Sequence, residues 1–366
     1  MADSYTELVL PFGSSPELFE QYTNSYGTIR TGKMMEHLDS LAGSVAYKHM
    51  LPGVEDLKQV ADQGFYIVTA SVDRLDVLAP MNLQRDIKLS GQVIHTGRSS
   101  MEIAVKMEAP GPSGEDETLL LGRFSMVCRD FSHHARPVNP LVRNTAEEEA
   151  LFAMGEGLRS NRKSKALQSL SRVPPTSAEA EALHSLYLAR GQEDQEHPDP
   201  NRVWMSDSRQ ESTMLMFPQE RNVHQKIFGG YLMRLAYELG FTSSSLFTRS
   251  HVRFLSLDGI SFAKPVPIGS ILRLTSHILH TSSTPEFPTL VHVGVQANVV
   301  DAKTGHEETT NDFRFTWCRE TGEPLQRYVV PRTYKEAMLW LEGKRALELG
   351  AEIRGLRGRS VGDVHE

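Results

Sequence analysis

The stretch Asn222-Val-His-Gln-Lys-Ile-Phe-Gly-Gly-Tyr-Leu-Met-Arg-Leu-Ala-Tyr-Glu238 reads as a polar loop, a glycine pair and a helix. Gly229 and Gly230 have no Cβ, so a ligand can approach the backbone closely there. The free N–H groups of a first helical turn favour negative charge and would stabilise a growing oxyanion. One such glycine pair says little. An altered second copy gives it weight: Asn24-Ser-Tyr-Gly-Thr-Ile-Arg-Thr-Gly-Lys-Met-Met-Glu-His-Leu-Asp39. Asn24 precedes Gly32 by the same interval as Asn222 precedes Gly230. An internal repeat is the first thing to look for in such a chain.

The repeat extends outward from these segments. Asp3-Ser-Tyr-Thr-Glu7 and its strand-like sequel Leu8-Val-Leu-Pro-Phe correspond to Asp207-Ser-Arg-Gln-Glu211 and Ser-Thr-Met-Leu-Met-Phe217. The helix after Gly32 places Met34, Leu38, Leu41 and Val45 on one stripe, with Met35, Ala42 and Ala46 beside it, which is a helical period. Both halves then turn to strand patterns. Asp73, Pro80, His95 and Thr96 match Asp258, Pro265, His280 and Thr281 at an offset of 185 (258 − 73). Cys128-Arg-Asp and Cys318-Arg-Glu end the last strands of the two halves. Each half adds a helix, at 147–158 and 334–347, with Thr145 and Thr333 placed as N-caps. Residues 159–200 are charged, contain Pro174-Pro-Thr-Ser and a short helix at 178–189, and read as a connector. The tail after Gly350 reads as mobile.

The unit is therefore a strand, a polar loop, one long apolar helix and at least four antiparallel strands, present twice. A helix apolar over most of its surface must be covered by its sheet. The expected class is α+β, with the two units pairing as a pseudo-dimer inside one chain.

Composition sets outer limits. A chain of 366 residues suggests two or more domains, and a net charge of −7 argues against a nucleic-acid surface. Two cysteines make no disulfide framework and no zinc spacing, so a reducing compartment fits. Cys128 and Cys318 read as buried small residues, and His95 and His280 as structural. No apolar run approaches the ~20 residues of a membrane span. Residues 1–22 carry Asp3, Glu7, Glu17 and Glu20 and no Arg or Lys, unlike a secretory or mitochondrial leader.

The plan resembles the double hotdog acyl-CoA thioesterases, nearest the type-nine, mitochondrial branch. The segments that carry the likeness are Arg30-Thr-Gly-Lys-Met-Met-Glu-His-Leu-Asp39-Ser-Leu-Ala-Gly, residues 73–80, Gly97-Arg-Ser-Ser-Met-Glu102, and residues 222–240. The resemblance implies two hotdog domains, 1–158 and 201–349, joined by the 159–200 connector and followed by a 350–366 tail. It implies acyl-CoA as the partner, hydrolysis to free acid and CoA, no cofactor or metal, and homo-oligomers of the two-domain unit. It points to the mitochondrion, whereas the acidic first residues fit a cytoplasmic protein equally.

The resemblance also implies sites at the junction of the halves, each pairing the loop and helix N-terminus of one with a helix carboxylate of the other. That carboxylate lies seven residues past the second glycine, which here is Asp39 in the first half and Tyr237 in the second, with Glu238 one residue late. One site is then complete: Asp39 as base or nucleophile, Asn222 orienting water or carbonyl, and the Gly229 or Gly230 N–H polarising the thioester. The other, built from Asn24, Gly32 and Glu238, is expected to be weak or silent. Arg98 and Ser99 fit a contact to pantetheine or phosphate, though a polar turn explains them nearly as well. His224 lies beside the site, where a loop histidine is more often structural. The alternative from another class is a non-catalytic acyl-CoA binder or scaffold; a hotdog dehydratase lacks support because no paired His–Asp motif is visible.

Overall fold

A computed structural model of the chain describes residues 1–53, 63–79, 81, 85–111, 114–190, 199–222 and 225–362. In the first half, β1 (Thr6–Leu10) and the short α1 (Pro16–Gln21) lead to the long α2 (Thr31–Met50). The strands β2 (Tyr66–Val77), β3 (Ile87–Thr96), β4 (Ser100–Pro110) and β5 (Asp116–Arg129) follow, and then α3 (Ala146–Leu167). The connector contributes α4 (Ser177–Arg190), and a short strand β6 (Arg202–Trp204) follows it. The second half repeats the order: β7 (Gln210–Leu215), α5 (Gly229–Thr248), β8 (Arg253–Phe262), β9 (Ile271–Ser282), β10 (Thr289–Val300) and β11 (Glu307–Arg319). It closes with β12 (Tyr328–Val330), which pairs with β6, and α6 (Tyr334–Gly362).

The ten long strands form one sheet in the order β1-β3-β4-β5-β2-β8-β11-β10-β9-β7. Read from its centre, the second half mirrors the first. The halves join edge to edge where β2 and β8 pair antiparallel, Ser71 opposite Ser261 and Leu75 opposite Leu257. Each half of the sheet wraps its own long helix, as expected, but the two wraps are continuous. Joining them leaves no bare edge at the middle of the molecule.

Inside the wrap lie α2 and α5. Met34, Met35, Leu38, Ala42, Val45 and Ala46 of α2 are fully buried, as are Met233 and Ala236 of α5. Burying one Leu or Met side chain contributes about 1.5–3 kcal/mol, so these helices anchor the core. They approach each other at their glycine ends. A Cβ on Gly230 would lie 2.8 Å from Glu36 Cα, closer than backbone tolerates, and one on Gly32 would lie 2.9 Å from Arg234 Cγ, so that the arginine stem fills the place of a side chain there. Glu36 and Arg234 occupy equivalent repeat positions and pair with each other at 2.6 Å, on the local two-fold axis.

The outer face of the sheet carries α3 and α6. Both run further than the sequence pattern indicates. The helix expected at 147–158 continues to Leu167, because Arg162 reaches back to Asp73 (2.7 Å) and Glu102 (2.7 Å) on the sheet. The expected mobile tail after Gly350 is helical as far as Gly362, and Arg354 pairs with Glu286 at 3.1 Å and lies over the Phe287 ring. Charge read as part of a connector and of a mobile tail instead ties the helices to the sheet. Thr145 and Thr333 do cap, each accepting a bond from the N–H three residues on, Glu148 and Glu336, at 3.2 Å. His95 and His280 lie under these helices against Phe152 and Trp340, and Cys128 and Cys318 are buried and free.

A buried ion pair crosses the junction of the halves. Arg74 of β2 donates to Asp258 of β8 at 2.6 Å and to Asp76 at 2.7 Å. Asp258 also accepts from Thr316 Oγ1 at 2.5 Å and lies 3.4 Å from His292 Nδ1. Burial alone would raise the Asp258 pKa, but the His292 bond, the Arg74 charge and the Thr316 hydroxyl hold it down at about 2. Removing one partner of a buried pair strands the other. Arg74→Met should therefore cost about 3–5 kcal/mol, read from urea unfolding at neutral pH. Adding Asp258→Asn should recover part of that loss. A loss below about 1 kcal/mol for Arg74→Met would show that the pair does not hold the halves together.

Candidate functional site

The first residue of α5 is Gly229, and Phe228 at the N-cap position offers no side-chain oxygen. The cap comes from the other half of the chain. Asp39, in the third turn of α2, accepts a hydrogen bond from the Gly230 N–H at 2.7 Å through Oδ2. Its Oδ1 accepts from Thr69 Oγ1 of β2 at 2.7 Å. Asp39 is only 3 % exposed. It can reach this position because Gly229 adds no bulk: a Cβ there would stand 3.0 Å from Asp39 Oδ2 and 3.3 Å from the Phe262 ring. Among the described residues no acceptor reaches the Gly229 N–H. The helix N-terminus thus presents one N–H to Asp39 and keeps a second beside it.

Burial raises the Asp39 pKa from the ordinary 3.8 to about 6, against the opposing bonds from Thr69 and Gly230, which favour the charged form. A carboxylate held by two donors, with a pKa near neutrality, is suited to take a proton. Two surface cavities, of about 550 and 170 Å³, lie elsewhere, between residues 170–174 and α6 and beside the N-terminus. The seam is where the chemistry-bearing groups meet, so geometry and not cavity size singles it out.

The equivalent junction in the other direction is built differently. Tyr237 occupies the place of Asp39 and is partly buried against the core. Its ring packs on Phe254 (5.2 Å), Trp317 (4.9 Å) and Phe315 (6.2 Å). A Cβ on Gly32 would lie 3.4 Å from the Tyr237 ring. Glu238 turns away to the surface and pairs with Arg30 at 2.6 Å and Arg234 at 3.6 Å, and among the described residues no carboxylate is bonded at Gly32.

The expected residues divide accordingly. Asp39, Gly229 and Gly230 come together. The Gly230 N–H, considered above as a donor to a thioester oxygen, is instead spent on Asp39. Asn222 closes its own loop: its Oδ1 accepts from the Lys226 N–H at 3.1 Å and its N–H donates to the Lys226 carbonyl at 2.7 Å. Asn24 closes the matching loop with Thr28 in the same way. Both asparagines thus shape the polar loop before a central helix. Arg98 and Ser99 lie in the β3–β4 turn, where their carbonyls accept from the Val138 and Cys128 N–H groups, and neither side chain bonds to the Asp39 seam. That is the polar-turn reading of the two. His224 lies outside the described residues.

Two neighbours of the seam were not singled out from sequence. Thr69 is visible there only through its mate: at the offset of 185 that pairs Asp73 with Asp258, Thr69 corresponds to Phe254. The acid and its hydroxyl partner change together into a packed aromatic pair. Phe262, beside Gly229, gives no comparable signal.

Comparison with known proteins gives the family. The thioesterase superfamily model matches residues 26–113. The chain is 38 % identical over 360 residues to acyl-coenzyme A thioesterase 9, mitochondrial, of Bos taurus, covering 94 % of this chain and 77 % of that protein. It is 37 % identical to the protein of that name from Homo sapiens, with the same coverage. Against acyl-coenzyme A thioesterase 2, chloroplastic, of Humulus lupulus, identity is 34 % over 93 % of this chain and 79 % of that one. A structure solved under the name oleoyl thioesterase, from Lactobacillus plantarum, overlaps 87 % of this chain and 96 % of its own with a TM-score of 0.51 at 10 % identity, a likeness of fold alone. This chain belongs to the acyl-CoA thioesterase family, with two hotdog units in tandem. Its bovine and human relatives carry mitochondrial names.

The raised pKa of Asp39 has a consequence for stability. The folded state holds this proton more tightly than the unfolded chain. The contribution is complete below pH ~4 and is lost as pH rises through about 6. The ionised carboxylate therefore weakens the folded protein by on the order of 3 kcal/mol. Unfolding free energies of the wild type and Asp39→Asn, compared at pH 4 and pH 7, should diverge by that amount, with the variant the more stable at pH 7. A difference independent of pH would contradict the shift.

Proposed function

We propose that the protein hydrolyses acyl-CoA thioesters at the seam between Asp39 and the N-terminus of α5. The observation that carries this reading is the Asp39 carboxylate, buried and gripped by Thr69 and Gly230, with an unused N–H of the same helix end one residue away. The thioester carbonyl oxygen takes the Gly229 N–H, where the helix dipole favours the charge that develops. To Asn222, which shapes the loop before this helix end, we assign the orienting of the carbonyl or the water. Asp39 removes a proton from a water molecule, whose oxygen adds to the carbonyl carbon. The tetrahedral intermediate collapses, the C–S bond breaks, and the CoA thiolate leaves and takes up a proton. Thr69 fixes the carboxylate in line for that attack and supports its charged form.

The same reading treats the junction at Gly32 and Tyr237 as silent, which makes the chain a two-unit protein with one working site. It divides the chain into two hotdog halves, through α3 and from β6 to α6, joined by the segment that holds α4. It also assigns the protein to the mitochondrion, following the names of its relatives, and expects the two-unit chain to associate further with itself. The competing reading is an acyl-CoA binder without turnover, favoured only by the aromatic filling of the second junction.

Thiol release from an acyl-CoA panel decides between them. Asp39→Ala should lower kcat by about 10²–10⁴-fold while acyl-CoA still binds. Glu238→Ala, on the ion-paired surface, should do far less. Full activity in Asp39→Ala would end the assignment, and an equal loss in Glu238→Ala would mean that both junctions work. Binding without thiol release in the wild type would favour the binder.

A further inference from the structure

Buried polar groups are hydrogen-bonded as a rule, and each exception needs a reason. Asn311 of β11 is 1 % exposed, and among the described residues neither end of its amide, Oδ1 or Nδ2, has a hydrogen-bond partner. It stands opposite Phe262 of β8 and Ala297 of β10. Residues directly opposite on antiparallel strands share a face of the sheet. For Phe262 that is the inner face. Its ring lies 3.3 Å from the place of a Gly229 Cβ and packs edge to face on Phe313, two residues past Asn311, at 6.3 Å. Across the junction, Ser71 of β2 is opposite Ser261 of β8, so Thr69 and Phe262 lie at neighbouring levels of the sheet. Thr69, which holds Asp39, then Phe262, then Asn311 follow one another along the inner face over three adjacent strands. Neighbouring strands are ~4.8 Å apart, so Asn311 stands about 10 Å from Thr69.

The repeat ties this amide to one junction. Leu120 of β5 stands opposite Val77 and Met107 as Asn311 stands opposite Phe262 and Ala297, so the two are mates. Leu120 is fully buried. A leucine therefore fits this place in the fold, and packing gives no reason for an amide. An amide buried without a bond lowers stability. The half whose helix end meets Asp39 carries that amide, and the half whose helix end meets Tyr237 carries the leucine.

We propose that Asn311 is a substrate-orienting residue of the Asp39 junction, and that its amide pairs with the pantetheine amide nearest the thioester sulfur. The proposal rests on the reading of the Asp39 seam as the site of hydrolysis. With the thioester oxygen on the Gly229 N–H, the arm that passes Phe262 meets Asn311. An alkyl chain there would leave the asparagine unsatisfied. A secondary amide brings one N–H and one C=O, which match Oδ1 and Nδ2 together. In an acyl-CoA such an amide follows the sulfur after a short methylene spacer. In the free protein Asn311 and Asp39 are closed alike, at 1 % and 3 % exposed, so substrate parts the seam to reach either. Phe262, half-buried beside both Gly229 and Asn311, is the ring that it moves aside.

The test is Asn311→Leu in the full chain, which copies the first-half residue. Thermal melts confirm folding, and Asn311→Ala serves if the leucine variant does not fold. Thiol release is measured from octanoyl-CoA, from S-octanoyl-N-acetylcysteamine, which keeps only that amide, and from S-ethyl thiooctanoate, which has none. Asn311→Leu should melt no lower than wild type, because an unpaired buried amide has gone. Its kcat/KM should fall about tenfold for the two amide-bearing thioesters and stay within ~twofold of wild type for the ethyl thioester. An equal loss on all three would put Asn311 at the carbonyl or the water instead of the pantetheine arm. Unchanged rates on all three would leave it without a role in turnover. Either result overturns the proposal. If wild-type protein releases no thiol from any of the three, the seam is not a site of hydrolysis, and that reading fails before this one.

Discussion

The hydrogen bond from the Gly230 N–H to Asp39 is the contact on which the rest of the structure turns. A helix start normally takes its cap from the residue just before it. Here Phe228 cannot supply one, and a carboxylate from the other half does. The bond forms only if α2 and α5 approach with no side chain between them, and Gly229 and Gly230 meet that need. It also needs the two sheets to be joined, because Thr69, which holds the other carboxylate oxygen, sits on β2 next to the β2–β8 seam. Folding of the two halves and assembly of the site are therefore one event. The same burial that raises the Asp39 pKa weakens the fold at neutral pH, and the apolar packing of α2 and α5 offsets that cost.

A site assembled from two halves loses function in a selective way. The retained seam uses an acid and a hydroxyl from the first half, and a loop and glycine pair from the second. The mirror seam needs the reverse contributions, and Tyr237 and Phe254 have removed both the acid and the hydroxyl. Those substitutions touch only the mirror seam, so one junction could turn into aromatic core while the other stayed intact. The rings that fill it, Tyr237, Phe241, Phe254 and Trp317, add apolar contact where a second buried carboxylate would have cost stability. On the proposed reading, this junction is core where the Asp39 junction is a site.

Much of this was readable in the residues. The repeat, the central helices and the succession of strands follow from spacing alone, since offsets that drift only at loops imply two copies of one fold; the order of the strands in the sheet does not. The glycine pair stood out through the repeat, whereas Asp39 was singled out by the resemblance to the double hotdog thioesterases, which implies a carboxylate seven residues past the second glycine. Other features depend on partners distant in sequence. Nothing in the 159–167 or 350–362 charge runs announces that Arg162 and Arg354 have sheet partners, so α3 and α6 run past their expected ends. The destination of the Gly230 N–H depends on which face of α2 meets α5. Arg98 and Ser99 have the right chemistry for a CoA contact but stand in the β3–β4 turn, bonded through backbone to the segments around them. Thr69 could have been found by asking which residues change along with Asp39 between the two copies.

The central claim is that a single carboxylate, buried between the halves and bonded across them, titrates near neutrality. Carbon-13 NMR of aspartate carboxyl groups measures this directly, with the Asp39 resonance assigned by its absence from the Asp39→Asn spectrum. The account predicts a midpoint near pH 6 for that resonance. A midpoint near the ordinary 3.8 would show that Asp39 is solvated and free of the seam, and would contradict it.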